Sequence, residues 1–485
     1  MRNVNIIRNV FIPIGNNELQ LVDIHFDETI HSIEKRLPES VAWSEIAAPE
    51  QRASFIQKVS ARLKAVQAPE IDGQFLVLMP GAIDPHVHFN TPGFEFREDF
   101  DHASLAALWG GVTTIIDMPC TSLPPVTSLP NMRRKLQALQ NRAYCDYAFW
   151  GGISGTDFSD GQRLKQNMKE LVEAGVMGFK AYLISGMEKF TDLNAGQMKQ
   201  AAEWIKDLNV PLAVHAEDKE LVVTRRGQFQ AQGQNDWQAY CSARDIEAEA
   251  RAVSLMASIV RQTGAAVHIV HLSSKRGLEI VQNARNNDLP MTAETCPHYL
   301  YFTQQDFKRP QIRNYLKTAP PVKFAEDRDA LWQGLADGSL LFVTTDHAGC
   351  DPKTEKVSEN FWQVYGGIPG VEHRVPFLFS EGFLKGRLTL EQCVNLLSTN
   401  AAHFFKFKNK GSLARGKDAD FALIDLWHGW TVKADAMHSK GKYTPFEGVE
   451  FKAQVIKTFL RGVLAVNRDE NYQTTTPIGK FVPRN

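Results

Sequence analysis

From residue 81 to about residue 404 the chain repeats one rhythm: a short apolar strand-like run, a loop, then a helical pattern. Eight strand-like runs stand out: Ala82–His88, Val112–Met118, Tyr144–Trp150, Val176–Tyr182, Pro211–His215, Ala266–His271, Pro290–Thr295 and Leu341–Asp346. Helical patterns lie between most of them, for instance Met132–Leu139, Ala195–Leu208 and Ile246–Thr263. Eight strands alternating with helices predict a closed (β/α)8 TIM-type barrel rather than an open doubly wound sheet. Such a barrel absorbs about 250 residues or more as one unit, which leaves room for one small second domain in 485 residues.

The two ends read differently. Residues 4–30 alternate apolar and polar, broken by Gly15-Asn16-Asn17 and Asp27-Glu28, the pattern of antiparallel β structure. Phe75 to Met79 reads as a further strand, and after Phe404 the helical patterns stop while Phe421–Leu426 and Val455–Val466 again read as strands. The economical arrangement is one small β-sandwich domain made by both ends (1–80 and 407–485), with the barrel, 81–406, inserted between them. Within the first part, residues 43–66 change character. Phe55, Ile56, Val59, Leu63 and Val66 form one stripe of an amphipathic helix, with Pro49-Glu50 near its start. That stripe must pack either on its own β domain or across a subunit contact; local packing is the expectation.

Composition narrows the function classes. Lys and Arg number 54 against 55 Asp and Glu, net −1, so nothing resembles the basic footprint that nucleic acid or an anionic lipid surface selects. Six scattered cysteines without a C-x-x-C pair fit reduced thiols in the cytoplasm. No apolar stretch approaches the ~18–20 residues of a spanning helix, and the first residues lack the apolar core of a signal peptide. A soluble cytoplasmic protein is expected, with a small-molecule partner and neither nucleic acid nor membrane.

The chemistry sits at strand ends. His86 and His88 close the first run two residues apart, so both imidazoles point the same way and can share one metal ion. His215 ends the fifth run, His271 the sixth and Asp346 the eighth. The C-terminal ends of barrel strands are where barrel enzymes put their working groups, and four imidazoles with a carboxylate suit zinc or a similar divalent ion. His268, three before His271, points to the opposite face and reads as a hydrogen-bonded core histidine; His347 follows Asp346 and faces away. His298 and His373 stay open. Lys180 lies inside the apolar fourth run, Gly178-Phe179-Lys180-Ala181-Tyr182, where a lysine is costly unless paired, neutralised or chemically altered. It reads either as a snorkelling lysine or, beside two divalent ions, as a carbamate formed with CO2.

These residues sit in motifs that resemble the cyclic amidohydrolases, the group of dihydroorotase, allantoinase, hydantoinase and dihydropyrimidinase. The resemblance rests on Met79 to Asn90, Gly110-Gly111-Val112-Thr113-Thr114, Gly178-Phe179-Lys180, Val214-His215-Ala216-Glu217, His271-Leu272-Ser273-Ser274, Glu294 to Leu300 and Thr345-Asp346-His347, in order along most of the chain. It implies a binuclear zinc centre: one ion on His86, His88 and Asp346, the other on His215 and His271, with carboxylated Lys180 and a hydroxide bridging the two. Asp346 is then also the catalytic residue, taking the proton of the attacking hydroxide and returning it to the departing ring nitrogen. A homodimer or homotetramer is expected, and the 43–66 segment looks like an insertion, because relatives make that crossing with a short turn.

Substrate choice turns on departures from dihydroorotase. That family carries an arginine two residues after the second histidine of H-x-H, to clamp a ring carboxylate; here Asn90 stands there, and an amide does not replace a bidentate cation. Cys120, Ala319 and Cys350 likewise replace an asparagine, an asparagine and a histidine. Asn90, Glu294 to Tyr299, Ala319 and Cys350 all resemble allantoinase, so Asn90, Ala319 and Cys350 are the expected substrate-binding positions. Zinc-dependent opening of a cyclic ureide is the first reading. Dihydroorotase is the runner-up, with Arg97 or Arg374 at the barrel mouth as a compensating cation. Hydantoinase or dihydropyrimidinase follows, and a metal-less, non-catalytic scaffold is a remote fourth reading.

Overall fold

The computed structural model describes residues 4–63 and 71–484. Eight parallel strand positions close into a barrel. Ala82–His88, Val112–Asp117 and Asp146–Phe149 pair in one sheet; Gly151–Gly152, Phe179–Tyr182, Leu212–His215, Val267–Ile269, Met291–Thr295 and Phe342–Val343 pair in the next. The chain from Asp146 to Gly152 joins the two sheets, and the short strand His347–Ala348 returns to pair with Val87 and His88, which closes the ring. The fold is thus the TIM-type α/β barrel expected from the alternation of strands and helices.

The inner strands are buried throughout because helices cover the outside of the ring. Phe179–Tyr182 and Leu212–His215 are fully buried, as near-continuous apolar runs in a parallel sheet must be. Side-chain oxygens set the starts of several covering helices: Asp218 caps Lys219–Ala231, Asp245 caps Ile246–Thr263, and Ser274 caps Lys275–Asn286. Asp218 and Ser274 follow barrel strands, so each fixes the path of a loop at the mouth, whereas Asp245 follows the helix Trp237–Ala243.

Both chain ends build one further sheet. Its order runs Tyr472–Gln473, Val463–Asn467, Gln454–Leu460, Phe421–Asp425, Val77–Pro80, Asn5–Pro13, Glu18–Phe26, Ile30–Lys35. Phe421–Asp425 lies antiparallel to Val77–Pro80, so a C-terminal strand sits directly beside the strand that leads into the barrel. Phe26, Phe421 and Phe459 meet edge-on in its core, with centroids 5.3–6.2 Å apart.

The segment expected as one helix over 43–66 is two helices, Trp43–Ile46 and Pro49–Ser60, and Val66 lies outside the described residues. The break falls before Pro49, whose ring disfavours a helical residue ahead of it. Packing is local. Phe55 meets Phe11 at 5.8 Å, Trp43 lies against Phe383 and Trp427 at 5.1 and 5.4 Å, and Trp427 donates its ring N–H to the Ile46 carbonyl at 2.6 Å.

Among the described residues no helix is long and apolar enough to cross a membrane.

Candidate metal centre

His86, His88, His215, His271 and Asp346 converge at the C-terminal end of the barrel. The nitrogens Nε2 of His86 and of His88 each lie 3.1 Å from Oδ1 of Asp346, and these three side chains bring their donor atoms within 4.8 Å of one another. Nδ1 of His215 faces Nε2 of His271 at 3.0 Å, and the rings of His86 and His271 are 5.4 Å apart. The four imidazoles therefore form one continuous group.

His271 and Asp346 do not end strands, as the sequence suggested, but turn out of them. Their φ angles are +40° and +49°, and the strands stop earlier, at Ile269 and Val343. A residue held in the left-handed region costs about 1–3 kcal/mol and is over-represented at functional sites. Here the turn brings the two side chains onto the histidines.

Carboxylates behind the cluster fix which nitrogen of each ring is free. His86 donates through Nδ1 to Glu294, which also takes a 3.1 Å bond from His268. His215 donates through Nε2 to Glu217 at 3.0 Å. With those protons placed outward, the lone pairs of His86 Nε2 and His215 Nδ1 face the centre, the arrangement that carboxylate partners impose on ligating histidines. His268 is hydrogen-bonded core, as its position in the sequence predicted, and His347 faces away, bonded to Glu98 at 3.3 Å.

The electrostatics divide the imidazoles: against burial, Asp346 and Glu294 raise His86, and Cys120 and Asp346 push His88 up to about 10. Burial, reinforced by the neighbouring His215, holds His271 well below its ordinary range, and burial lowers His215 as well; both are neutral donors at pH 7. Burial works against ionised Asp346, but His86 and His88 outweigh it and hold the carboxyl well below the usual range. Lys180 is fully buried, its Nζ has no hydrogen-bond partner, and burial pushes it down to about 8, against the pull of Cys120, Asp346 and Glu294. A partnerless buried amine costs about 1–3 kcal/mol or more. Together with the unpartnered Nδ1 of His271, this leaves two buried nitrogens without internal partners beside the Asp346 carboxylate, and that fits divalent ions.

Above the cluster lies a cavity of about 300 Å3. Asn90 and Ala319 line it, as does Cys120. Asn90 has φ +61°, is buried, and leaves its Nδ2 unpartnered. Cys350 does not reach the cavity: its thiol is buried against the Tyr443 hydroxyl, 3.3 Å away, because the chain has by then turned behind the wall. Arg374 is not at the mouth either. It is buried in the barrel wall, donating to the carbonyls of Val343 and Leu397 at 2.6 and 3.1 Å, so it is excluded as a substrate cation. Arg97 does line the cavity but is held by Glu355 at 2.6 and 2.8 Å. His298 and His373 are both buried, and burial pushes each down to about 4; neither lines the cavity.

Sequence reasoning missed Glu294 and Glu217 as partners of the histidines, and Arg244 as a wall residue. Glu294 and Glu217 carried a signal, a carboxylate inside or just beyond a buried strand. Arg244 carried none: it comes to the cavity from the end of the helix Trp237–Ala243.

The model of the amidohydrolase family matches residues 77–465. An allantoinase of Rubrobacter xylanophilus is 33% identical over 428 residues, 88% of this chain and 92% of that protein. The allantoinase of Saccharomyces cerevisiae is 32% identical, over 83% of this chain and 85% of its own length. Among solved structures, an L-hydantoinase (dihydropyrimidinase) from Arthrobacter aurescens superposes with a TM-score of 0.87 at 26% identity, covering 99% of this chain and 100% of that one. A dihydropyrimidinase from Brevibacillus agri gives 0.86 at 26%, covering 100% of this chain and 99% of that one. With a barrel of this form, this cluster at its mouth and these matches over most of its length, the chain belongs to the amidohydrolase family.

Proposed function

We propose that this protein is a zinc-dependent hydrolase of a neutral cyclic ureide of the allantoin or hydantoin type, opening a ring C–N bond in the cytoplasm. The observation that carries it is the cavity itself: a metal-competent cluster at its floor, and a neutral, unpartnered amide, Asn90, in its wall. Allantoinases of similar sequence support the choice of ring.

His86, His88 and Asp346 would hold one zinc ion, His215 and His271 the other, with Lys180 carboxylated between them. When bound, the pair supplies an acidified water and polarises the scissile carbonyl. Asp346 then accepts the proton of the attacking water and returns it to the departing ring nitrogen, as a carboxylate at hydrogen-bond distance can. Glu294 and Glu217 keep the His86 and His215 rings in one tautomer through the cycle. Asn90 offers its amide to a ring oxygen, Ala319 contributes wall surface, and burial of the floor excludes bulk water. The unit carrying this chemistry is the barrel, 81–406, with 1–80 and 407–485 as its β domain, working as a homodimer or homotetramer.

The deciding experiment is kcat/KM of the zinc-loaded enzyme for allantoin, hydantoin, dihydrouracil and L-dihydroorotate. A neutral five- or six-membered ureide turns over fastest on this reading. Dihydroorotase is the second reading, favoured by one observation, the Arg244 guanidinium at the cavity wall; fastest turnover of dihydroorotate would establish it instead.

A further inference from the structure

Two arginines line the cavity, and they differ in what remains free. Arg97 commits Nε and Nη2 to Glu355. Arg244 is bonded through Nη1 alone, to Glu217; its Nε and Nη2 meet no acceptor among the described residues, and its side chain is 17% exposed where it borders the cavity.

Its position is fixed from behind. The Arg244 backbone closes the helix Trp237–Ala243, its carbonyl takes a 2.6 Å bond from Lys323, and its guanidinium lies 5.6 Å from the Tyr240 ring centre. Through Glu217 it is one side chain removed from His215. Glu217 is fully buried, and its carboxylate takes both the His215 bond and the Arg244 bond. With Nη1 on the Glu217 carboxylate, this ion pair leaves the Nε–Nη2 edge as its free donors. Such an edge suits a carbonyl oxygen; a full carboxylate would also meet the charge of Glu217.

In a 5-substituted hydantoin the substituent is carried by the carbon next to the carbonyl that hydrolysis opens, so an arm starts one bond from the reacting centre. We propose that Arg244 is the residue that reads this arm, its Nε–Nη2 edge donating to the carbonyl oxygen of a neutral ureido or amide substituent. The assignment deepens the cyclic-ureide reading and rests on it.

The test measures selectivity, so that a common loss cancels. Arg244→Met and Arg244→Lys are prepared zinc-loaded, with metal content and thermal unfolding recorded; if the Met variant does not fold, the Lys variant, which keeps a cation beside Glu217, carries the measurement. The ratio of kcat/KM for allantoin to that for unsubstituted hydantoin is expected to fall about 10- to 100-fold, the range for losing a hydrogen bond to a charged group. The ratio of inhibition constants for allantoate and hydantoate, open-chain products with and without the arm, shifts in the same sense. A selectivity unchanged within about twofold, with metal lost, makes Arg244 a prop for Glu217 and His215 and overturns the assignment. Wild-type preference for dihydroorotate that vanishes in Arg244→Met assigns the guanidinium to a carboxylate and overturns it as well. A wild-type enzyme that opens neither hydantoin ring overturns the functional reading, and this assignment with it.

Discussion

Glu294 shows how much of the centre depends on a side chain that reaches no substrate. It accepts from His86 and from His268, so Glu294→Gln removes the charge that orients His86 while keeping the volume. The expected outcome is a 10- to 100-fold loss in metal affinity, the usual cost of removing such a partner, read by titrating the metal-free enzyme with zinc. Lys180 gives the sharper test. On the proposed two-ion centre, Lys180→Ala should largely abolish activity and cut metal content; full occupancy with near wild-type turnover would dismiss the proposed bridging carbamate. The histidines, Asp346 and Lys180 were legible in the sequence because strand periodicity and apolar context mark them. Cys350 was misjudged for the opposite reason: in an irregular loop, position along the chain does not say which way a side chain turns.

At the scale of elements, the helical pair Trp43–Ile46 and Pro49–Ser60 is fastened within its own chain, to the β domain and to Phe383 of the barrel. Phe55 contacts Phe11, and Trp43 contacts Phe383 and Trp427. Trp43→Ala should therefore destabilise the protein by about 2–3 kcal/mol, less than the 3–5 of a fully buried tryptophan, with oligomer mass and kcat unchanged. A change in mass by light scattering would mean that the helices reach a neighbouring subunit. The apolar stripe was readable by its spacing. Its division at Pro49 follows from the proline, a local rule that the periodicity of the stripe alone overrode.

For the molecule as a whole, the barrel and the terminal sheet are joined by a buried charge cluster. Lys410 touches Asp146 at the start of a barrel strand and Asp420 and Asp418 beside Phe421–Asp425, at 2.7–3.0 Å. Arg461 and the Lys480 amide also bind Asp146. These three carboxylates form a group that could hold a metal by geometry, but the ammonium already occupies its centre. Lys410→Met leaves them crowded and should cost about 3–5 kcal/mol, as breaking buried pairs does, measured by denaturant unfolding. The Asp420 and Asp146 charges raise Lys410 above its ordinary 10.5 against the pull of burial. A raised lysine contributes fully below its unfolded value and is lost as pH climbs through the folded one, so the variant and the wild type should converge in stability only on the alkaline side of about 10.5. Chelation should likewise lower the unfolding temperature in a zinc-reversible way, since a ligand bound only to the folded state stabilises by mass action. The sequence by itself determined the barrel, the terminal strands and which histidines and aspartate stand at or just beyond the strands, because periodicity and residue type act locally. Tertiary structure alone decided which carboxylate orients which histidine, that Arg244 arrives at the cavity while Arg374 stays in the wall, and that Lys410 ties the two ends together. The Arg244–Glu217, His86–Glu294 and Lys410–Asp146 contacts join residues 27, 208 and 264 positions apart, and nothing in local spacing specifies such distances.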